Sequence, residues 1–360
     1  MRRLYALVVF IPVAIVLDLT DGPAAAIFFT AALGIVPTAV LMSDATEHLA
    51  ARSGPGIGAL LNVTFGNAPE LIIAFFALLK GLQEVVKASL VGSVIGNSLL
   101  VLGFAMVVGG WRRERQHFSR EATDRISTLL LVTALVLIVP AVADAITGGH
   151  LPQPNEERVR YGTAIEVLSV AVAVGLVSRY ALGLAKSIRT RRGIFAVAPA
   201  VEEVSDEVWT VRRSVILLAL AGVLVGVMSE VLVGSIEQAS HTVGLSPFFI
   251  GVFVVGIAGN AAEHWVAVVV AAKNKMDLSL NIALGSSVQI AMFLVPVLVL
   301  LSFVFGPHPM ALVFNGYEVG ALVAGALIAK LVVRGGQSTR FEGMVLLAVY
   351  LALGVVFALA

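Results

Sequence analysis

The chain of 360 residues contains no cysteine, which excludes disulfides, thiolate metal sites and thiol catalysis. Charge is also scarce, since only 13% of the residues are Asp, Glu, Lys or Arg, about half the share typical of soluble domains. Apolar residues make up 59%, and a soluble domain of that composition would expose apolar surface to water. The composition therefore predicts an integral membrane protein and excludes a soluble enzyme, a nucleic-acid binder and a disordered chain. The net charge of +1 leaves no bulk field to attract a polyanion.

Apolar segments recur along the whole chain, and about 20 residues suffice to cross the hydrocarbon of a bilayer. Eleven can be counted, at residues 3–18, 23–43, 55–80, 86–110, 125–146, 160–183, 211–237, 246–272, 278–305, 311–333 and 341–359. We therefore expect an all-α integral membrane protein with eleven transmembrane helices. The first segment follows two arginines as a signal peptide would, but no small-residue cleavage site precedes Asp18. We expect it to remain as a membrane helix.

Lys and Arg residues lie mostly on one side of this predicted topology. Of the 24, all but Lys80, Lys87, Arg158 and Arg160 fall on that side. Because positively charged loops stay in the cytoplasm, we expect a cytoplasmic N-terminus and an extracytoplasmic C-terminus.

One stretch of sequence occurs twice. Residues 66–70 (GNAPE) reappear as residues 259–263 (GNAAE), and the same offset of 193 relates residues 92–93 to 285–286. Each copy spans two apolar segments, and the copies begin in the third and the eighth segment. An odd number of crossings separates them, so they cross the membrane in opposite directions. Inverted repeats around a site near the midplane are typical of secondary transporters.

The repeat predicts how the chain is organised. We expect an extra helix at residues 1–22, a five-helix half at 23–183 with the first repeat at 55–110, a cytoplasmic linker at 184–210, and a second five-helix half at 211–360 with the second repeat at 246–305. The linker carries four acidic residues at helical spacing, which predict either a solvated helix or a cation-sensing, regulatory one. They are Glu202, Glu203, Asp206 and Glu207.

Two carboxylates, Glu70 and Glu263, fall near the centres of apolar segments. A charge there costs at least about 2.5–3.5 kcal/mol by insertion scales, so its occurrence at equivalent places in both copies indicates a function. Each Glu follows an Asn by three residues and a Gly by four, which puts amide and carboxylate on one helix face and weakens the helix beside them. Carboxylate, amide and carbonyl oxygens are the ligands of hard divalent cations. The candidate ligands are Gly66, Asn67, Glu70, Gly259, Asn260 and Glu263.

The second segment of each copy adds polar side chains. Ser93 and Asn97 are four residues apart, and Ser286 and Gln289 are three apart, so each pair shares a helix face. We interpret these residues either as further cation ligands or as groups that bond neighbouring helices.

Four more ionisable residues lie within or at the ends of apolar segments and are candidates for proton relay or gating. Glu230, deep in an apolar run, is the strongest of them. Glu47 and Glu237 could equally be interfacial charges that extend to water. His264 adjoins Glu263 but points to another helix face, so we expect it to pack or gate rather than to bind the ion.

Two carboxylates that face each other in a medium of low dielectric repel, so they bind protons more tightly unless a cation neutralises both. A divalent cation and protons should therefore compete for one site. This competition is the chemistry of a cation/proton antiporter, in which the cation is the transported substrate. No cofactor is expected.

The motifs resemble the α-repeats of the calcium/cation antiporter superfamily. The GNAAEH form at residues 259–264 and the acidic linker are similar to the calcium/proton exchanger branch. The resemblance implies a dispensable first helix, two inverted five-helix halves, and Ca²⁺ efflux by alternating access driven by inward proton flow, with Glu70 and Glu263 binding the ion. Pro69 is closer to the sodium/calcium exchangers, and Ile290 stands where the first copy has Asn97, so the two ligand sets differ.

Three other functions stay open at this stage. They are a Na⁺/Ca²⁺ exchanger of the same fold, a cation channel, and a membrane-embedded hydrolase using Glu and His264. The short N-terminus, without the long extension of vacuolar members, leads us to expect the plasma membrane of a prokaryote. The expected partners are Ca²⁺, protons and the lipid bilayer, and no nucleic acid.

Overall fold

The structure, a computed structural model, describes residues 4–156, 161–190 and 209–360. The acidic linker residues Glu202, Glu203, Asp206 and Glu207 lie outside these ranges. The described chain is almost entirely helical, as its composition predicts.

The helices fall into two series, one on each side of the linker. Before it come a 3₁₀ helix Leu4–Val9, α1 Phe10–Leu19, α2 Ala24–Phe65, α3 Ala68–Leu79, α4 Gln83–Ile95, α5 Leu102–Gly109, α6 Arg120–Leu137, α7 Val139–Ile146 and α8 Thr163–Thr190. After it come α9 Val211–Val243, α10 Pro247–Ile250, α11 Gly256–Ala272, α12 Met276–Gln289, α13 Val295–Ser302, α14 Gly316–Val333 and α15 Arg340–Ala358. Strands β1 Gln116–His117 and β2 Gln337–Ser338 pair in antiparallel fashion.

Three π-helical segments join consecutive helices. They are Gly96–Val101 between α4 and α5, Gly251–Val255 between α10 and α11, and Ile290–Leu294 between α12 and α13. The first and third occupy equivalent places in the two repeats. Extra residues of this kind inside helices are frequent at functional sites.

Nine helical stretches in the described ranges are long and apolar enough to cross a membrane. They are Ala24–Gly54, Gln83–Gly109, Arg120–Ile146, Thr163–Ile188, Val211–Val243, Pro247–Ala272, Met276–Ser302, Gly316–Val333 and Arg340–Ala358. Leu4–Leu19 and Ala68–Leu79, at the first and third predicted positions, are apolar but shorter. The chain is therefore a multi-pass, all-α membrane protein, as predicted, and the count of eleven crossings stays a prediction.

The predicted end of the second segment at residue 43 was too early, whereas the predicted start of the third at residue 55 coincides with a kink in α2. Helix α2 continues beyond residue 43, is interrupted at Gly54, whose φ is +77°, and resumes as far as Phe65. Glycine adopts this left-handed conformation without the steric cost of a Cβ. The polar residues between 43 and 54 are therefore helical, and α3 begins as a separate helix at Ala68.

The first of two compact units comprises Met1–Phe76, Ala181–Leu245 and Ala258–Ala262. In it α2 packs along α9, and α1 packs against both. A buried apolar cluster of Met42, Ala68, Ala221 and Val225 lies among these helices. Unit 1 therefore joins segments from both predicted halves of the chain.

The second compact unit comprises Ala77–Tyr180, Ser246–Ile257 and Glu263–Ala360. Within it α5 packs on α15, and α6 packs on α12 and α14. It also draws on both predicted halves. The division into inverted halves at 23–183 and 211–360, which follows from the repeat, remains a prediction.

A close helix crossing in unit 2 brings α4 against the segment Gly251–Val255 and the start of α11. A Cβ at Gly92 would lie 2.1 Å from the carbonyl oxygen of Val252, and a Cβ at Gly256 would lie 3.0 Å from the backbone of Gly92. The two backbones can approach this closely because neither residue has a side chain.

We expect Gly92→Ala to lower the unfolding midpoint in detergent by about 3–10 °C, because the added methyl group overpacks the crossing. The matched control is Gly285→Ala, the equivalent position in the second repeat, where a Cβ would meet only Ile126 Cδ1 at 3.8 Å. Size-exclusion chromatography after heating gives both midpoints. An equal midpoint for the two variants would contradict the crossing.

Candidate cation site

The first motif lies at the start of α3, in unit 1. Asn67 directly precedes the helix and Glu70 belongs to its first turn, where backbone N–H groups and the helix dipole favour a negative charge. Both side chains are buried, with 2% and 6% of their surface exposed.

Part of the second motif packs against Glu70 in the same unit. A Cβ at Gly259 would lie 3.0 Å from Glu70 Cγ, so the absence of a side chain at Gly259 leaves room for the carboxylate. Asn260, the next residue, is buried. The fold thus brings predicted ligands from both repeats, Glu70 and Gly259, 189 residues apart in sequence, into one neighbourhood.

The two motifs differ in backbone conformation. The first is interrupted at residues 66 and 67, whereas α11 runs through Gly259 without a break. The backbone is therefore broken beside the glycine in the first copy only, and the weakening of the second helix by Gly259 stays a prediction. The difference follows from Pro69, whose ring lacks an N–H and clashes with the carbonyl four residues earlier in a continuous helix. The second copy has Ala262 at that position and continues.

Glu263 lies in unit 2 and has a hydrogen-bond donor from its own repeat. The hydroxyl of Ser286 on α12 donates to the Glu263 carboxylate. The adjacent Ser287 instead donates to the carbonyl of Ala283, at 3.1 Å. Gln289, another predicted ligand, is partly buried at the end of α12.

The polar residues that follow the first motif bond to α11 in unit 2. The Ser93 hydroxyl donates to the Gly256 carbonyl at 3.3 Å. Nε2 of His264 lies 2.8 Å from the side-chain oxygen of Asn97, within the π-helical segment Gly96–Val101. His264 therefore bonds to a neighbouring helical segment through a contact that was not predicted, and its gating role stays a prediction.

A signal for this pair exists in the sequence. The offset of 193 relates His264 to Leu71, and Asn97 to Ile290. Two positions that are polar in one repeat and apolar in the other are candidates for a pair, since a buried polar group needs a partner.

The remaining gating candidates lie on two long helices of unit 1. Glu47 is partly buried on α2, and Glu230 and Glu237 are exposed on α9. Their roles stay predictions.

A cluster beside Glu47 was also missed. The ring of His48 stacks on Trp209 with centroids 4.3 Å apart, and the Arg213 guanidinium lies 4.6 Å from the Trp209 centroid. Trp209 lies at the end of the predicted linker 184–210 and is the first residue described after the gap at 191–208. The cluster therefore attaches the end of the linker to α2 and α9.

In the ranges that the structure describes, no three His, Cys, Asp or Glu side chains gather as a metal cluster. A cation bound by Glu70 or Glu263 would need amide, hydroxyl and carbonyl oxygens as ligands in addition to the carboxylate oxygens. This ligand set is the one predicted from the motifs, and it suits a hard cation.

Comparison with known proteins identifies the family. The model of the sodium/calcium exchanger protein family matches residues 23–188 and 213–359. The chain belongs to this family. A Ca²⁺/H⁺ antiporter of Synechocystis is 41% identical over 98% of this chain and 95% of its own length. The Ca²⁺/H⁺ antiporter ChaA of Bacillus subtilis is 38% identical over 100% of both chains.

A solved structure confirms the fold. Native YfkE superimposes on this chain with a TM-score of 0.84 and 35% sequence identity, covering 99% of this chain and 100% of that one. The predicted family resemblance and the sodium/calcium exchanger-like fold are thus confirmed. The named relatives are antiporters rather than enzymes, which agrees with the expectation of a transporter.

The contact between His264 and Asn97 predicts that substitutions at these two positions are non-additive. Either His264→Leu or Asn97→Ile removes one partner and leaves a polar group facing an apolar side chain, at a cost of about 1–3 kcal/mol. The double variant installs the apolar residues of the two equivalent positions, Leu71 and Ile290, so it should regain part of that loss. Denaturant unfolding of all four proteins measures the coupling, and simple addition of the two losses would refute it.

Proposed function

We propose that this chain is a Ca²⁺/H⁺ antiporter of a prokaryotic plasma membrane, exporting Ca²⁺ from the cytoplasm by alternating access. The observation that carries the proposal is similarity along nearly the whole chain to two relatives named Ca²⁺/H⁺ antiporters. Two buried carboxylate motifs in an otherwise apolar protein fit this function, because an intramembrane charge is expensive and marks an ion path. The Lys and Arg distribution supports a cytoplasmic N-terminus and an extracytoplasmic C-terminus.

Glu70 and Glu263 are the proposed charged ligands of the transported ion. Ca²⁺ takes six to eight oxygen ligands, and neutral oxygens complete such a shell. The burial of Glu70 against Gly259 and the bond from Ser286 to Glu263 support this assignment. The proposed neutral ligands are Asn67 and Asn260, the carbonyls of Gly66 and Gly259, and the side chains of Ser93, Ser286, Asn97 and Gln289.

Coupling follows from the chemistry of the carboxylates. A protonated carboxyl has no charge to offer Ca²⁺, and a Ca²⁺-bound carboxylate does not accept a proton, so the two ions exclude each other. The carboxylates can therefore carry Ca²⁺ in one direction only after they have released their protons, and protons in the other direction only after they have released Ca²⁺. A gradient of protons directed inward thereby drives Ca²⁺ outward.

A sodium-coupled exchanger is the second candidate. Pro69 in the first motif favours it, because this departure from the second copy is the feature closer to sodium/calcium exchangers. The proton-coupled function is preferred because both named relatives carry it in their names.

We expect ⁴⁵Ca²⁺ uptake into inside-out proteoliposomes to require a pH gradient and to be indifferent to Na⁺. Glu70→Gln and Glu263→Gln should each reduce the initial rate by at least about 100-fold, because a neutral amide cannot exchange a proton for Ca²⁺. Glu114→Gln, an exposed acid between α5 and β1, is the charge-matched control and should transport normally. Uptake that survives both central substitutions would eliminate these glutamates, and uptake driven by Na⁺ would favour the second candidate.

Competition between the ions also predicts that Ca²⁺ affinity falls as pH falls, because protonation removes the charged ligands. Addition of Ca²⁺ to the detergent-solubilised protein in weak buffer should release protons, followed with a pH indicator. The Glu70→Gln/Glu263→Gln double variant should release none. Ca²⁺ binding to the native chain without proton release would exclude the competition.

A further inference from the structure

Unit 2 contains a second group of buried charges that the repeated motifs do not explain. Glu84 and Lys87 lie one turn apart at the start of α4, with 2% and 3% of their surface exposed. Nζ of Lys87 is 3.2 Å from Oε2 of Glu84. Lys87 is also one of the few basic residues that fall on the predicted extracytoplasmic side.

The ammonium group of Lys87 is held by oxygens from distant parts of the sequence. It donates to the carbonyl oxygen of Val313 at 3.0 Å. Glu318, whose side chain is fully buried in the first turn of α14, also interacts electrostatically with it. One carboxylate and a backbone carbonyl thus contact the ammonium group, and a second carboxylate acts on it electrostatically.

Asn315 fixes both carboxylates in place. Its side-chain amide donates to Oε1 of Glu84 at 2.7 Å. Its backbone N–H donates to Oε2 of Glu318 at 2.8 Å, as part of the capping box of α14. The hydrogen bonds from Asn315 therefore hold both carboxylates in position without a bound metal ion, as in a preorganised binding site.

The oxygens of this cluster are those that a hard metal cation would use, namely carboxylate and carbonyl. Buried carboxylates of this kind need a positive charge nearby, because an unpaired buried charge costs several kcal/mol. In this protein the charge is an ammonium on the chain itself. The bound ammonium, rather than the acidic residues alone, identifies the place as a cation site.

We propose that Glu84, Glu318 and the Val313 carbonyl form a second cation site, and that Lys87 keeps it permanently filled. A free site here would lie six residues, or about 9 Å along the α4 axis, from the proposed ligand Ser93. It would hold Ca²⁺ beside the transport path and compete for the transported ion. A tethered ammonium neutralises the carboxylates and cannot be carried away, so Lys87 acts as a determinant of where Ca²⁺ binds.

Equilibrium ⁴⁵Ca²⁺ binding to the purified full-length chain tests this. The background is Glu70→Gln/Glu263→Gln, in which the proposed transport site is disabled. We expect Lys87→Ala in this background to add one bound Ca²⁺ per chain, and Glu84→Gln or Glu318→Gln to remove it again. Lys80→Ala, which deletes an exposed lysine on the same predicted side, is the matched control and should add none.

The result is read as a difference, so it does not depend on the transport assignment. If Glu70 and Glu263 were not the transport ligands, the background would still bind Ca²⁺, and Lys87→Ala would still add one ion. Lys87→Ser is the second variant, and the rise of its unfolding midpoint with added Ca²⁺ is the second measurement. The proposal is overturned if neither variant binds an additional Ca²⁺. It is also overturned if both variants fail to fold with and without Ca²⁺, because Lys87 would then only hold helices together.

Discussion

A carboxylate inside an apolar protein has to meet a positive charge, a proton or a hydrogen-bond donor. The described chain meets this requirement in several ways. Glu70 occupies the first turn of a helix, Glu263 receives the hydroxyl of Ser286, and Glu84 is paired with Lys87. The first two depend on mobile ions in the proposed function, whereas the third has its counter-ion attached. In the proposed function, buried carboxylates therefore bind transported ions at one place and hold helices together through an ion pair at another.

The position of each carboxylate depends in turn on residues without side chains or without an N–H. Gly259 leaves space for Glu70, and Gly92 permits the close crossing of α4 with the segment before α11. Pro69 separates α3 from α2, so that Glu70 belongs to the start of a helix rather than to its middle. Small residues and a proline thus prepare the surroundings in which the acids act.

Much of this was accessible from the sequence, because burial and repetition leave strong signals. Nine of the eleven apolar segments predicted from hydropathy correspond to helices long enough to cross a membrane. A single offset predicted the paired motifs, and the resemblance of those motifs predicted the family. The extent of α2 could not, since hydropathy reports the environment of a residue and not its conformation, and the polar residues after 43 remain helical. The π-helical segments could not be predicted either, because a shift in the backbone hydrogen-bond register has no characteristic amino-acid composition.

Side-chain partnerships were the least predictable part of the site. Asn97 and Ser93 were predicted as residues that bind the ion or bond helices, and the structure shows their bonds to His264 and Gly256. The stacking of Trp209 on His48 joins residues more than 150 positions apart, as does the contact of Lys87 with Val313. Such pairs require a knowledge of which helices are neighbours, and the two compact units mix both halves of the chain in a way that the repeat alone does not specify.

The bond between His264 and Asn97 has a consequence for energetics. In a transporter made of two identical inverted copies, the inward-facing and outward-facing conformations would be related by a two-fold rotation and equal in free energy. Here His264 of the second copy and Asn97 of the first form a hydrogen bond, whereas the equivalent positions carry Leu71 and Ile290. In the proposed alternating-access cycle, this single hydrogen bond between the copies would make the two conformations of the empty protein unequal in free energy.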